Sequence, residues 1–134
     1  MTRNKKRLTD AELELMQVVW DLGPEPVTVR QVVDKLGAAA NKAPAYTTVQ
    51  TVLNILCRKR ALRSRPGQGR ALEYEPLVTR EEMASSMTRD LVERAFGGSV
   101  EHLLMTLLDD KELGRDELAE LRRRIDEQLG EKGS

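Results

Sequence analysis

Three apolar runs of this chain are each preceded by Thr-x-x-Glu or Thr-x-x-Gln, at Thr9/Glu12, Thr28/Gln31 and Thr79/Glu82. In such a capping box the Thr side chain accepts from the N3 backbone N–H, and the N3 side chain reaches back to the Thr N–H. The device belongs to helix starts, so three helices and their directions are set before any packing is considered. Leu8 with Leu13, and Val27 with Val32, add hydrophobic staples to the first two. In the first helix Leu13, Met16, Val19 and Trp20 recur at helical spacing and should face a core, and Gly23-Pro24 stops it. The second presents Val29, Val32, Val33 and Leu36, and Gly37 should end it before the turn AAANKAP. Val27 is expected to pair briefly as a strand.

A third helix is expected over residues 45–59, in the stretch AYTTVQTVLNILCRKRALR. At about 100° per residue, Val49, Val52, Leu53 and Leu56 share one face. Thr47, Gln50, Thr51, Asn54 and Arg58 gather on the opposite one. Solvated helix faces usually carry Glu and Lys, whereas this one has no acid. Next, LRSRP and ALEYEP flank a Gly-Gln-Gly turn, which predicts a β-hairpin over 62–76 with Arg65 and Arg70 near its tip. Beyond Pro76 come three amphipathic helical patterns, separated at Gly97-Gly98-Ser99 and at Gly114. Their Leu and Val stripes are too short to build a thick core alone, so a partner chain is expected to cover them.

The net charge is zero, but its distribution is not even. Residues 1–78 hold 13 Lys+Arg against 8 Asp+Glu, and residues 79–134 hold 9 against 14. Between Asp34 and Glu73 there are 8 basic residues and no acid. A basic half of this kind suits a polyanion.

Helix, helix, turn, helix and hairpin is the order of a winged helix-turn-helix. The expected fold is therefore mainly α with a small β-hairpin: a winged-helix DNA-binding domain over 8–78 and a helical dimerisation domain over 79–130. The third helix would enter the major groove. Thr47, Thr48, Gln50, Thr51 and Asn54 are the candidate base readers, because Asn and Gln can bond adenine bidentately and Thr can bond or touch thymine. Arg58 and Lys59, at the far end of the helix, suit phosphates, as do Arg65 and Arg70 on the wing. The basic arm MTRNKKR is a further, weaker candidate for phosphate contact. A winged helix can also serve as a protein-interaction adaptor that reads no DNA, but the acid-free interval argues against that use.

The chain shows no catalytic set, so no enzyme is expected. Its one histidine, His102, lies beside an apolar stripe and reads as structural. One cysteine, Cys57, allows neither a disulfide framework nor a Cys/His metal site, and no cofactor is expected. Cys57 reads as a space-filler, although Arg58 and Lys59 beside it would pull its pKa down. No apolar run approaches the ~18 residues of a membrane span. The basic start lacks the apolar stretch of a signal peptide, so a soluble cytoplasmic protein without membrane insertion is expected.

LTDAELELMQVVWDLGPEPVTVRQVVDKL, AYTTVQTVLNILCRKRAL and GRALEYEPLVTREE closely resemble the penicillinase-repressor family. That family includes the repressors of β-lactamase and methicillin-resistance operons and related copper-responsive repressors. The resemblance is strong over 8–82, weaker to about 126, and most specific at Tyr-Thr-Thr-Val. It implies a homodimer bound to a palindromic operator, with Thr47, Thr48, Thr51 and Asn54 on the recognition helix and Arg65 and Arg70 on the wing. It also implies release by an inducing signal, for which proteolysis by a membrane metallopeptidase partner, a ligand and Cys57 oxidation all stay open. Two departures matter. The copper-binding Cys-x-Cys motifs are absent, and Thr106-Leu107 stands where antibiotic-responsive members have the cleaved Asn-Phe bond.

Overall fold

The computed structural model describes residues 7–40, 44–69 and 71–133. The basic arm up to residue 6, the turn residues 41–43 and Arg70 lie outside the described residues. The chain divides into two compact units, Met1–Ser85 and Ser86–Ser134.

The first unit opens with α1 (Asp10–Asp21), β1 (Val27–Thr28), α2 (Val29–Ala40) and α3 (Tyr46–Arg58). The hairpin strands β2 (Leu62–Pro66) and β3 (Leu72–Pro76) follow, and α4 (Arg80–Ala95) begins in this unit. All three capping boxes form. The Thr9 N–H donates to Glu12 Oε1 (3.0 Å) and the Glu12 N–H to Thr9 Oγ1 (3.2 Å). Thr28 with Gln31 and Thr79 with Glu82 repeat the arrangement. Each such cap is worth about 1 kcal/mol.

The antiparallel sheet has the order β1-β3-β2. Val27 and Thr28 pair with Tyr74 and Glu73, which bears out the expected strand at Val27. Leu62↔Pro76, Ser64↔Tyr74 and Pro66↔Leu72 set the hairpin register. Along β3 Tyr74 is buried at the strand centre, whereas Leu72 and Pro76, on the same face but at the two ends of the strand, are nearer solvent.

The core joins α1, α2, α3 and the sheet. Met16, Val19, Val27, Val32, Val49, Leu53, Leu56, Leu62 and Tyr74 are sealed from solvent. Burying a side chain of this size stabilises by roughly 1.5–3 kcal/mol. Leu15 and Val18 are buried too, whereas Leu13 stays half-buried. The reason is that α1 packs against α2, α3 and β3 together, so a wider arc of it is covered than one stripe. Gly37 does not end α2, which continues to Ala40. A glycine in a helix costs only about 1 kcal/mol against Ala, and the three alanines after it are strong helix formers.

The second unit holds the rest of α4, then α5 (Val100–Leu108) and α6 (Arg115–Gly133). Gly97 (φ +57°) and Gly98 (φ +87°) take the left-handed conformation that ends α4. Ser99 then caps α5 by accepting from the His102 N–H (3.0 Å). Val100, Leu104, Met105, Leu107 and Leu108 of α5 are exposed, as are Leu118, Leu121, Ile125 and Leu129 of α6, at 37–64%. The polar side of α6 carries ion pairs of Glu120 with Arg123 and Arg124, and of Glu127 with Arg123.

Candidate nucleic-acid interface

Helix α3 is anchored through Val49, Leu53 and Leu56, which are buried, and Val52, which packs partly against the core. On its outer side Thr47, Thr48, Thr51, Asn54 and Arg58 are exposed, and Gln50 is half-buried. These six candidates therefore share one surface, with Gln50 at its margin. The residue before the helix, Ala45, is extended and gives it no side-chain cap. Beside the first turn, the Arg30 guanidinium from α2 lies 5.2 Å from the centre of the Tyr46 ring. This cation–π contact holds a further positive charge at that end of the surface.

The far end of α3 is closed by a Schellman motif. The Ala61 N–H bonds Leu56 O (3.0 Å) and the Arg60 N–H bonds Cys57 O (3.0 Å). Arg60 occupies the left-handed position, with φ +64°, where glycine is the usual residue. A long side chain there carries backbone strain of about 1–2 kcal/mol.

Lys59 departs from its expected role. Its Nζ lies 2.6 Å from Glu12 Oε1 and 2.8 Å from the Arg7 carbonyl oxygen. Only 9% of the Glu12 side chain and 23% of the Lys59 side chain are exposed. Lys59 thus ties the end of α3 to the start of α1, and its charge is already matched. Burial alone would raise the Glu12 pKa. The hydrogen bonds from Lys59 and Thr9 and the ammonium charge hold it below the ordinary carboxylate value.

Asn54 is tied to the sheet. The Tyr74 hydroxyl, on the central strand, donates to Asn54 Oδ1 at 2.9 Å. Cys57 also turns toward the sheet, where it is hydrogen-bonded to Ser64. Burial pushes its thiol pKa up, with only a partial offset from Ser64. The downward pull expected from adjacent cations is absent, since Lys59 is directed to Glu12 and burial disfavours the thiolate.

The wing is less cationic than its sequence suggests. Glu75 accepts from Arg63, whose Nε lies 2.9 Å away, and its other oxygen is 3.7 Å from Arg65. The Arg63 hydrogen bond and the two guanidinium charges hold Glu75 below the ordinary carboxylate range. Antiparallel pairing brings these groups together, placing Arg63 opposite Glu75 and Arg65 opposite Glu73. Both arginines remain exposed and able to exchange a carboxylate for a phosphate. Arg70 lies outside the described residues. Among the described residues, no group of three His, Cys, Asp or Glu is placed to hold a metal ion. No helix among them is long and apolar enough to cross a membrane.

Arg30 and Arg60 join this surface, and the buried Tyr74 supports it through its hydroxyl bond to Asn54, without any of the three having been singled out for it from the sequence. Arg60 was one of the basic residues of the acid-free interval, and Tyr74 a strand residue. Nothing in spacing marks Arg30.

A three-helix core, an antiparallel wing and an outward third helix without acids define a winged helix-turn-helix protein of the nucleic-acid-binding kind. Residues 8–127 match the family model described as penicillinase repressor, and the chain belongs to that family. It is 37% identical over 123 residues to the transcriptional regulator BlaI of Mycobacterium tuberculosis, covering 90% of this chain and 84% of that protein. It is 25% identical over 126 residues to the penicillinase repressor of Bacillus licheniformis, covering 94% of both. Among solved structures, the DNA-binding domain of the repressor BlaI aligns with 57% of this chain and 88% of its own, at 28% identity and a TM-score of 0.48.

Proposed function

We propose that this chain is a transcriptional repressor that binds a palindromic DNA operator as a homodimer. The observation that carries the reading is the division of α3. Val49, Leu53 and Leu56 are buried on one side, and Thr47, Thr48, Thr51, Asn54 and Arg58 are exposed on the other, with no acid among them. Membership of the penicillinase-repressor family supports it. The roles named for the two relatives, regulator of transcription and repressor, are carried to this chain as part of the proposal.

In this reading α3 lies in the major groove. Thr47, Thr48, Gln50, Thr51 and Asn54 meet base edges, which specify the sequence. Arg58, Arg60, Arg65, Arg70 and Arg30 meet phosphates, which position the protein. Lys59 is left to hold the helix in place. The exposed stripes of α5 and α6 bury each other across a two-fold axis, and that symmetry is repeated in the operator as an inverted repeat. An inducing signal releases the dimer. Proteolysis by a membrane metallopeptidase partner is one route the family resemblance suggests, but Thr106-Leu107 in place of the Asn-Phe bond argues against cleavage at that bond.

The test is selection of bound duplexes from a random pool by the full chain. Enrichment of an inverted repeat, with affinity falling steeply as salt rises, is the expected result. Recovery of no common sequence would overturn the reading and favour a winged-helix adaptor.

A further inference from the structure

Tyr74 has no exposed surface, yet its hydroxyl ends at an exposed side chain of α3. Its ring is fixed from both sides, because Tyr74 pairs with Val27 on one neighbouring strand and with Ser64 on the other. The hydroxyl therefore projects from a rigid platform to a set point beside Asn54. A side-chain amide has two chemically different ends, an acceptor oxygen with two lone pairs and an NH₂ with two donors. Free in solvent, it rotates and exchanges those ends. With Tyr74 donating to Oδ1, one lone pair is occupied, the oxygen is fixed toward the sheet side, and Nδ2 is directed away from it.

We propose that Tyr74 is a positioning residue for base readout: its hydroxyl sets the rotamer of Asn54 so that one acceptor and one donor are presented in fixed places to a base in the major groove. The inference rests on the reading of α3 as the base-reading helix. Adenine offers a matching pair there, an N6–H donor and the N7 acceptor. The second lone pair of Oδ1 takes the N6–H, and Nδ2 donates to N7. Guanine offers two acceptors, so the pinned oxygen faces an acceptor and is rejected. Preorganisation lowers the ordering cost of binding rather than adding a contact.

The experiment compares wild type, Tyr74→Phe, Asn54→Ala and the double variant for affinity to the selected operator, to all single-base-pair variants of it, and to random duplex. Asn54→Ala should flatten discrimination at one base pair by about 5–150-fold. Tyr74→Phe should lower discrimination at that same base pair by about 2–12-fold, leaving random-duplex affinity and salt slope unchanged. In the Asn54→Ala background, Tyr74→Phe should have no further effect. Full discrimination in a folded Tyr74→Phe protein would overturn the positioning role while leaving base reading by Asn54 intact. An Asn54→Ala protein without any base-specific loss would instead sink the underlying reading, and this proposal with it. Should Tyr74→Phe fail to fold, NMR of the free wild-type chain decides. A single ordered Asn54 side-chain amide close to the Tyr74 ring supports the proposal, and a rotationally averaged one overturns it.

Discussion

The ammonium of Lys59 and the carboxylate of Glu12 meet at 2.6 Å, and Glu12 Oε1 also accepts the Thr9 backbone N–H. One carboxylate therefore closes the start of α1 and the end of α3 together. Glu12→Ala is expected to cost about 2 kcal/mol, the sum of a lost cap and a charged hydrogen bond discounted for the part-exposed lysine. Urea unfolding of Glu12→Ala, Lys59→Met and the double variant should show the two losses to be non-additive. The pH dependence has a definite sign. Glu12 has a lower pKa folded than unfolded, so its contribution is present above the ordinary value of 4.5 and is lost as pH falls through the folded value. In Glu12→Gln the acid limb of stability should be shallower, and an unchanged limb would refute the assignment.

Base contacts and phosphate contacts should separate by salt. Thr51→Ala with Asn54→Ala should flatten the footprint while leaving random-sequence binding intact. Arg65→Ala should weaken all sequences alike and reduce the salt slope by about 1. Glu75→Gln should do the reverse for affinity, since it frees Arg63 and Arg65 from a bound carboxylate. Titration of operator and random duplex at several salt concentrations reads all three. A loss confined to one base pair in Arg65→Ala would contradict a phosphate role.

Arg60 holds a left-handed conformation that glycine adopts without steric cost. Arg60→Gly should therefore stabilise the fold by about 1 kcal/mol and raise the melting temperature. The same change removes a cation, so DNA affinity should fall. A variant that gains both stability and affinity would show that Arg60 has no electrostatic part in binding.

Cys57 should be a poor redox sensor. Its pKa is raised, so less thiolate exists near pH 7 than for a free cysteine. Reaction with a disulfide reagent at pH 7 should be slower than that of glutathione, and mild peroxide should leave operator affinity unchanged. Loss of binding that is abolished in Cys57→Ser would point the other way.

The stripes of α5 and α6 should be the assembly surface. Leu121→Glu with Ile125→Glu places charges on exposed apolar positions of α6. Sedimentation should shift from dimer to monomer, and operator affinity should drop more than half-operator affinity. A mass unaffected by both substitutions would place the interface elsewhere.

Features decided within a few residues were readable in the chain itself. Thr9 with Glu12 and Thr28 with Gln31 are three positions apart, so their caps follow from the local pattern. The outward face of α3 follows from helical period alone. Pairings across the fold carry no such signature. Lys59 meets Glu12 from 47 positions away, Tyr74 meets Asn54 from 20, and Arg63 meets Glu75 from 12. This is why Lys59 reads as an anchor for phosphate in the sequence but serves as an internal tie in the fold. Gly37 misled for another reason: its penalty is small against a run of alanines continuing the helix.

Thr28 is at once the partner of Glu73 in the sheet and the cap of α2. No spacer separates strand from helix, so the wing and α2 share a mechanical joint. A slip of β3 by one residue would turn Tyr74 outward and carry the Asn54 contact away with it. For anyone re-engineering this domain, the consequence is an unequal tolerance. In the hairpin tip Gln68 can be exchanged without moving α3, but Gly69 (φ +84°) and Gly67, where an added Cβ would run into the Glu73 side chain, cannot, and a single residue added between Pro26 and Val29 would put the whole reading head out of register.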